Sequence, residues 1–95
     1  MVDPFLKLKY GEIYELDVHG LSLEDARSEL LWALNSIDSK YGGLLVIHGF
    51  HKGTAIKNYL RTKFNDPRVI KIIKPDAGAT LLLLAENIAR VQNHK

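Results

Sequence analysis

The sequence has no cysteine, one tryptophan and one methionine among its 95 residues. The absence of cysteine excludes a disulfide framework and a thiolate metal site, and it is typical of a reducing compartment, so a cytoplasmic location is expected. No apolar run approaches the ~18 residues that a membrane-spanning helix needs, so no membrane partner is expected. The first residues lack the basic segment and apolar stretch of a secretory signal, so no targeting segment is expected either.

Charge is distributed unevenly along the chain, although the net charge is only +2. Residues 1–47 carry four Lys or Arg and eight Asp or Glu, a net charge of −4. Residues 48–74 carry seven basic residues and one acidic residue, a net charge of +6, and the last 21 residues balance. A basic middle segment of this kind is either an anion-binding face or an ordinary solvated surface.

The periodicity of the first half predicts a strand, a helix and a second strand. Residues 12–19 alternate apolar and polar side chains, which predicts a strand with one exposed face. Ser22 has the position of an N-cap, and apolar residues at helical spacing predict a helix over 22–38. Trp32 falls opposite the apolar stripe of this helix, where it would stack on a base, contact a partner or cover a terminal segment. Residues 44–47 are apolar on both faces, as expected of a central strand.

The second half predicts one more helix and two more strands. Thr54 is a second candidate N-cap, and apolar residues continue at helical spacing until the turn at 65–67. Residues 69–74 predict a partly exposed strand, residues 75–78 a turn and residues 80–84 a strand buried on both faces. If the two fully apolar strands are central, the spatial order of the strands is 1-2-4-3.

The element order β-α-β-α-β-β predicts a two-layer α/β sandwich, in which a four-stranded mixed sheet carries both helices on one face. The opposite face needs another cover, either from apolar residues outside the predicted elements or from a second copy of the chain. A monomer or a weak homodimer is therefore expected. One domain is expected over 1–95, with a core of about 12–84, an extension at 1–11 and a tail at 85–95. The apolar residues available as cover are Phe5, Leu6, Leu8, Tyr10, Ile88 and Val91.

Two of the predicted strands end in the same dipeptide, His-Gly, at 19–20 and at 48–49. Because a crossover helix joins these strands, they are expected to be parallel, with their carboxyl ends at one edge of the sheet. Ligands bind at this edge in open α/β sheets. Since neighbouring strands lie ~4.8 Å apart, His19 and His48 are expected to face a common cleft and to act on one substrate.

The residue types around the two histidines suit chemistry on a phosphodiester. Histidine exchanges protons near neutral pH, and Asp17 has the spacing to orient the His19 ring or to polarise water or a ribose 2'-hydroxyl. Glycines allow the backbone to approach a phosphate, while Lys52 and the start of the second helix supply positive potential. The glycines concerned are Gly20, Gly49 and Gly53.

Each of these features also has a simpler interpretation. A histidine at the end of a strand often hydrogen-bonds its own loop, and glycines at such positions often serve tight turns. A metal site is a further alternative, although the spacing matches no recognised ligand pattern. Its ligands would be Asp17, His19, His48 and His51.

Three segments resemble motifs of the Smr (small MutS-related) domain family, over about residues 12–84. LDVHGLSLEDA at 16–26 is similar to the family's LDxHG opening and the helix that follows it. VIHGFHKGTAIKNYLR at 46–61 is similar to its HGxGxG motif and the next helix. PDAGATLLLL at 75–84 is similar to its closing glycine, Ala-Thr and apolar strand. The resemblance implies a fold like that of the C-terminal domain of bacterial translation initiation factor three.

The resemblance also implies which residues act, because members of the family are endonucleases. By position, Asp17 and His19 are implicated in cleavage, and His48, the third residue of the predicted catalytic set, is expected to bind or position the scissile phosphate. His51 departs from the second motif, which has a glycine there, and its side chain would either add a phosphate contact or block close approach of the backbone. The predicted phosphate-binding residues are Gly20, Gly49, His51, Lys52, Gly53, Thr54, Lys57 and Arg61.

The expected function is therefore cleavage of RNA or DNA phosphodiesters by hydrolysis or transesterification, in ribosome rescue, control of messenger RNA or control of recombination. RNA is favoured, since its 2'-hydroxyl provides an internal nucleophile. Nucleic acid is the expected partner, with the ribosome as a further candidate. No cofactor is expected, with a divalent cation as the alternative. Two other functions stay open, namely a nucleic-acid or ribosome binding module that cuts nothing, and a small protein-interaction domain.

Overall fold

The computed structural model describes residues 9–49 and 54–84. Six elements follow one another in the order that the sequence predicts. They are β1 (Glu12–Asp17), α1 (Leu23–Ser36), β2 (Tyr41–Ile47), α2 (Thr54–Asn58, continued by a π-helical turn over Tyr59–Lys63), β3 (Val69–Asp76) and β4 (Ala79–Leu84).

The four strands form one mixed sheet in the order β1-β2-β4-β3, which confirms the predicted order 1-2-4-3. Strands β1 and β2 are parallel, with Asp17 paired with Ile47 at their carboxyl ends. Strand β4 runs antiparallel to both of its neighbours, β2 and β3. Each His-Gly dipeptide follows the end of one parallel strand, so the sheet brings both dipeptides to the same edge.

Helix α1 begins where the sequence supplies a cap. The Ser22 hydroxyl accepts a hydrogen bond of 3.1 Å from the backbone N–H of Asp25, and Glu24 and Asp25 place negative charge in the first turn. The helix ends at Ser36 rather than at 38, because Ile37 has an extended conformation. Its buried residues lie on one face of the helix and are Ala26, Leu30, Ala33 and Leu34.

Helix α2 is shorter and less regular than the spacing predicts. After Asn58 it widens into a π-helical turn, in which the N–H of Phe64 donates to the carbonyl oxygen of Tyr59 at 2.8 Å. Ile56 and Leu60 are its buried residues. Neither helix in the described part of the chain is long and apolar enough to cross a membrane.

Apolar side chains cover both faces of the sheet. On one face, α1 and α2 pack against alternate strand residues such as Leu44 and Leu82, which are fully buried. On the opposite face Leu81 is also fully buried, and Tyr10, one of the predicted cover residues, packs there. The other predicted cover residues, Phe5, Leu6, Leu8, Ile88 and Val91, lie outside the described residues.

The turn between β3 and β4 is shorter than predicted. Residues 75–78 were expected to form the turn, but β3 continues through Asp76 and only Ala77 and Gly78 connect it to β4. The N–H of Gly78 donates to Oδ1 of Asp76 at 2.7 Å, which stabilises this short turn. The turn lies beside the carboxyl end of β2, since Ile47 pairs with Ala79.

Candidate functional site

Asp17 and His19 form a hydrogen-bonded pair at the exposed carboxyl end of β1. Nδ1 of His19 lies 2.5 Å from Oδ1 of Asp17, and the backbone N–H of His19 donates to the same oxygen at 3.1 Å. The His19 side chain is 67% exposed and that of Asp17 is 54% exposed. The structure thus brings together the two side chains that the D-x-H spacing pairs, and it leaves both accessible to a ligand.

The hydrogen bonds of this pair keep the Asp17 carboxyl ionised and determine the tautomer of His19. The bond from the His19 ring, followed by the bond from its backbone, lowers the pKa of the Asp17 carboxyl below its ordinary value. An ionised carboxylate only accepts hydrogen bonds, so Nδ1 of His19 carries the hydrogen. In the neutral ring the lone pair is then on Nε2. His19 is therefore arranged to accept a proton at Nε2, while Asp17 fixes its tautomer and orientation.

His48 directly follows Ile47, the last residue of β2, whereas His19 is two residues beyond Asp17, which pairs with Ile47. The His48 ring is buried, and the residue is only 1% exposed. Nδ1 lies 3.1 Å from the carbonyl oxygen of Gly49, and Nε2 lies 3.0 Å from Oγ1 of Thr80. A carbonyl oxygen only accepts, so Nδ1 carries the hydrogen and Nε2 accepts the hydroxyl hydrogen of Thr80. Both ring nitrogens are thus used inside the protein.

The prediction that His19 and His48 face a common cleft is therefore wrong. The first cause is the register of the parallel pair: Asp17 pairs with Ile47, so His48 lies opposite Val18 and His19 lies opposite Gly49, and the two rings point to opposite faces of the sheet. The second cause is the position of each strand in the sheet. Strand β1 is an edge strand, whereas β2 lies between β1 and β4, so the residue that follows β2 is enclosed by its neighbours. Because the His48 ring is buried, its predicted catalytic contact with a substrate has no support in this geometry.

Thr80 connects His48 to Arg61, forming a partly buried network between β2, β4 and α2. Nε of Arg61 donates to Oγ1 of Thr80 at 3.0 Å. Nη2 of Arg61 donates to the carbonyl oxygens of Asp76 and Ala79, both at 2.9 Å. These bonds attach α2 to the β3–β4 turn. Within the described residues, every buried side-chain nitrogen and oxygen has a hydrogen-bond partner.

Burial is the main reason that the pKa of His48 lies below its ordinary value of 6.5. The hydrogen bond to Gly49 opposes this effect, and the positive charges of Arg61 and Lys57 add to it. His48 is therefore neutral at physiological pH. Sequence reasoning missed Thr80 as its partner, although one polar residue at the start of an otherwise apolar strand was a usable signal.

Backbone hydrogen bonds fix the second His-Gly segment to the β3–β4 turn. The N–H groups of His48 and Gly49 both donate to the carbonyl oxygen of Gly78 at 3.0 Å. Gly20 and Gly49 have φ angles of +83° and +85°, which residues with side chains rarely adopt. The strand-to-helix turns thus require these glycines. A Cβ atom on Gly49 would lie 3.5 Å from Cβ of His19, so the segments are neighbours although the two rings have different environments.

The remaining predicted phosphate-binding residues are placed unevenly. Thr54 is exposed at the start of α2, and Lys57 is half-buried one turn later. Arg61 directs its guanidinium to the β3–β4 turn, so Nε and Nη2 are already bonded to protein oxygens. His51, Lys52 and Gly53 lie outside the described residues. Among residues 9–49 and 54–84, no three His, Asp or Glu side chains are close enough to hold a metal ion.

The fold is similar to that of a solved structure. A crystal structure of the Smr domain of Thermus thermophilus MutS2 matches 76% of this chain and 98% of its own length, with a TM-score of 0.61 and 27% sequence identity. No family model matches the sequence, and the comparison with curated proteins gives no match either. The structural match, together with the sheet order β1-β2-β4-β3 and the two helices, shows that this chain has an Smr-like fold.

Proposed function

We propose that this domain is a nucleic-acid endonuclease in which Asp17 and His19 are the catalytic residues. The observation that carries the proposal is the 2.5 Å hydrogen bond between Oδ1 of Asp17 and Nδ1 of His19, at an exposed edge of the sheet. It leaves Nε2 of His19 to act as the base. The Smr-like fold supports the choice of substrate, because the LDVHG motif resembles that of a family of endonucleases.

In the proposed reaction, Nε2 of His19 removes the proton of the attacking oxygen, which belongs to water or to a ribose 2'-hydroxyl. That oxygen bonds to phosphorus, the bond to the leaving oxygen breaks, and the leaving oxygen takes a proton from the imidazolium or from solvent. The Asp17 carboxylate stabilises the positive charge of the imidazolium during the step. Water as the nucleophile gives a phosphate monoester, whereas the 2'-hydroxyl gives a cyclic phosphate.

His48 has a positioning role in this proposal and does not contact the substrate. Its ring connects the carbonyl oxygen of Gly49 to Thr80, and Gly49 in turn lies against His19. The buried ring therefore supports the loop beside the catalytic pair. This role replaces the catalytic one that the sequence predicts for His48.

Positive charge on α2 and β3 is proposed to bind the nucleic-acid backbone. Residues 54–76 contain six Lys or Arg and two Asp, a net charge of +4. Arg68 is paired with Asp66, whose Oδ2 lies 2.8 Å from Nη2, and Arg61 is bonded to the β3–β4 turn. The proposed contacts are therefore the lysines. Lys63, Lys71 and Lys74 are exposed, and Lys52 and Lys57 are carried over from the sequence prediction.

The direct test is cleavage of labelled single-stranded RNA and of supercoiled DNA by the wild type and by His19→Ala. We expect the wild type to cut at least one substrate, and the variant to cut at least about a thousandfold more slowly or not at all, within the range that a positioned base contributes. Ser28→Ala, an exposed change on α1, is the control and should keep full activity. Equal cutting by the wild type and His19→Ala would show that the site is assigned wrongly. Parallel reactions with EDTA measure any requirement for a cation.

A second candidate function is a nucleic-acid binding module that does not cut. The observation that favours it is the burial of His48, which leaves His19 as the one exposed histidine that the described residues place at this edge. This function predicts that the affinity falls steeply with salt concentration, while no cleavage occurs with Mg²⁺, Mn²⁺ or EDTA. Turnover of either substrate that is lost in His19→Ala would exclude it.

A further inference from the structure

An aromatic pocket lies beside the edge strand β1, on the flank of α1 that faces it. The pocket has a volume of about 120 Å³ and is lined by the aromatic residues Tyr14, Trp32 and Tyr41 together with Ala33, Ser36, Ile37 and Asp38. Trp32 is 65% exposed and Tyr14 is 38% exposed. The rings of Tyr14 and Tyr41 pack edge to face, with their centroids 5.4 Å apart. Three aromatic rings thus line one solvent-accessible concavity.

This aromatic pocket is separate from the catalytic pair. Tyr14 precedes Asp17 by three residues in β1, a distance of about 10 Å along a strand. An odd spacing in a strand also directs the two side chains to opposite faces of the sheet. A ligand in the aromatic pocket would therefore leave Asp17 and His19 accessible.

The surface around the aromatic pocket is acidic. Asp25, Glu29 and Trp32 are spaced four and three residues apart on α1, so they form one row along the exposed flank. Asp38 lines the pocket itself, so three carboxylates lie on or beside this flank, with the ammonium group of Lys40 as the neighbouring cation. Arg27, the basic residue of α1, lies on the opposite flank of the helix, where its guanidinium is 5.1 Å from the centroid of the Tyr59 ring.

A cation already lies at the rim of the aromatic pocket. Nζ of Lys40 is 5.1 Å from the centroid of the Tyr41 ring, within the ~6 Å over which a cation–π attraction acts. Nucleobases also stack on exposed aromatic rings, but the phosphate groups attached to them would be repelled by the surrounding carboxylates. The charge of this surface favours a cationic ligand over an anionic one.

We propose that the aromatic pocket binds an arginine or lysine side chain from a basic segment of a partner protein. The cation packs against the rings of Tyr14 and Trp32, and the carboxylates of Asp38 and Glu29 supply the complementary charge. Lys40 competes with this ligand, because its ammonium group occupies a neighbouring ring face. This docking site is independent of the proposed nuclease and holds whether or not the domain cuts nucleic acid.

Trp32 is the only tryptophan of the chain, so its fluorescence reports on the aromatic pocket directly. The test is titration of the full chain with a hexa-arginine peptide and, separately, with a ten-nucleotide oligo-uridine. We expect hexa-arginine to change the Trp32 emission and oligo-uridine to leave it unchanged. Tyr14→Ala should weaken peptide binding about threefold and Lys40→Ala should strengthen it by a similar factor, as for one exposed cation–π contact.

Matched variants separate this site from general attraction to an acidic protein. Leu31 is an exposed apolar residue on the other flank of α1, so Leu31→Ala should leave the affinity for hexa-arginine unchanged. Tyr14→Phe keeps the ring and should retain the affinity. It provides a folded control if Tyr14→Ala fails to fold. If neither Tyr14→Ala nor Lys40→Ala changes the affinity for hexa-arginine, the peptide binds elsewhere and the proposal is wrong.

Two other outcomes would also overturn it by identifying a different occupant. If oligo-uridine changes the Trp32 emission and Lys40→Ala weakens its binding, the aromatic pocket stacks nucleobases. If sedimentation shows self-association of the wild type that Trp32→Ala abolishes, the pocket is covered by a second copy of the chain.

Discussion

The two His-Gly segments share a dipeptide, a place at the end of a parallel strand and a glycine with almost the same φ angle, yet their histidines have opposite environments. His19 follows an edge strand and is exposed beside a carboxylate, whereas His48 follows a central strand and is buried beside a hydroxyl. The carboxylate keeps a basic nitrogen available at the surface. Both nitrogens of the buried His48 ring are hydrogen-bonded, one to the Thr80 hydroxyl and the other to the Gly49 carbonyl oxygen. The neighbours that the sheet provides, rather than the dipeptide, determine what each histidine does.

The largest expected effect comes from Asp17→Asn, which tests the exposed pair. The amide removes the charge that fixes the tautomer of His19 and stabilises its imidazolium, so single-turnover cleavage should fall about a thousandfold. The free energy of unfolding should change by less than about 0.5 kcal/mol, because the side chain is at the surface. Asp25→Asn, another exposed acidic position, is the control. A similar loss of cleavage in Asp25→Asn would attribute the effect to net charge instead.

His48→Ala tests the buried partner and should affect stability. The change leaves a cavity and removes a hydrogen-bond partner from Thr80, so we expect the free energy of unfolding to fall by about 3 kcal/mol. His19→Ala should cost less than about 0.5 kcal/mol, since that ring is exposed. Urea unfolding of both variants measures the difference. Equal destabilisation by the two changes would remove the contrast between the segments.

The pH dependence of stability should report on His48. Because burial lowers the pKa of His48 in the folded state, the unfolded chain takes up a proton below about pH 6.5 that the folded chain does not. The free energy of unfolding should therefore decrease as the pH falls from 6.5 toward the lowered pKa, by up to about 1.4 kcal/mol per pH unit. Above pH 6.5 this contribution is constant.

Urea unfolding between pH 7.5 and pH 5.5 measures this slope for wild type and His48→Gln. The glutamine side chain does not titrate, so the variant should show a flatter dependence than the wild type. Carboxyl groups with lowered pKa values, such as Asp66 at about 2, lose their contribution only in more acidic solution. An identical slope in the two proteins would mean that folding does not lower the pKa of His48.

The smallest expected effects concern the two glycines, where the segments should behave alike. Gly20→Ala and Gly49→Ala each place a side chain at positive φ, at a cost of about 1 kcal/mol. The added methyl group meets nothing within 4 Å at position 20 and only an ordinary 3.5 Å contact with His19 at position 49. Thermal or urea unfolding should thus give similar losses. A much larger loss at one position would show that the two turns differ in more than their histidines.

The sheet order was predictable because the strands differ in pattern. Residues 44–47 and 80–84 are apolar on both faces, while residues 12–19 and 69–74 are not, and only the first pair suits the centre of a sheet. The position of Asp17 relative to His19 was also predictable, since it depends on a spacing of two residues in one strand. Local patterns determine both features.

Features that depend on contacts between distant residues were not predictable in the same way. The burial of His48 depends on Thr80, 32 residues later in the chain, and on its neighbour Arg61. The turn predicted at 75–78 begins later because Pro75 lies in the edge strand β3, where a missing N–H donor is tolerated. The π-helical turn in α2 has no local signature in the sequence.

The separation of charge between the two edges of the sheet gives the molecule an electric dipole. Strand β1 and α1 together carry six acidic residues and one basic residue, whereas α2 and β3 carry five basic residues and one acidic residue. Near a polyanion, the resulting torque rotates the domain so that its basic edge leads. At physiological ionic strength this field extends only about 8 Å from the surface, so the alignment occurs in the last moments of the encounter.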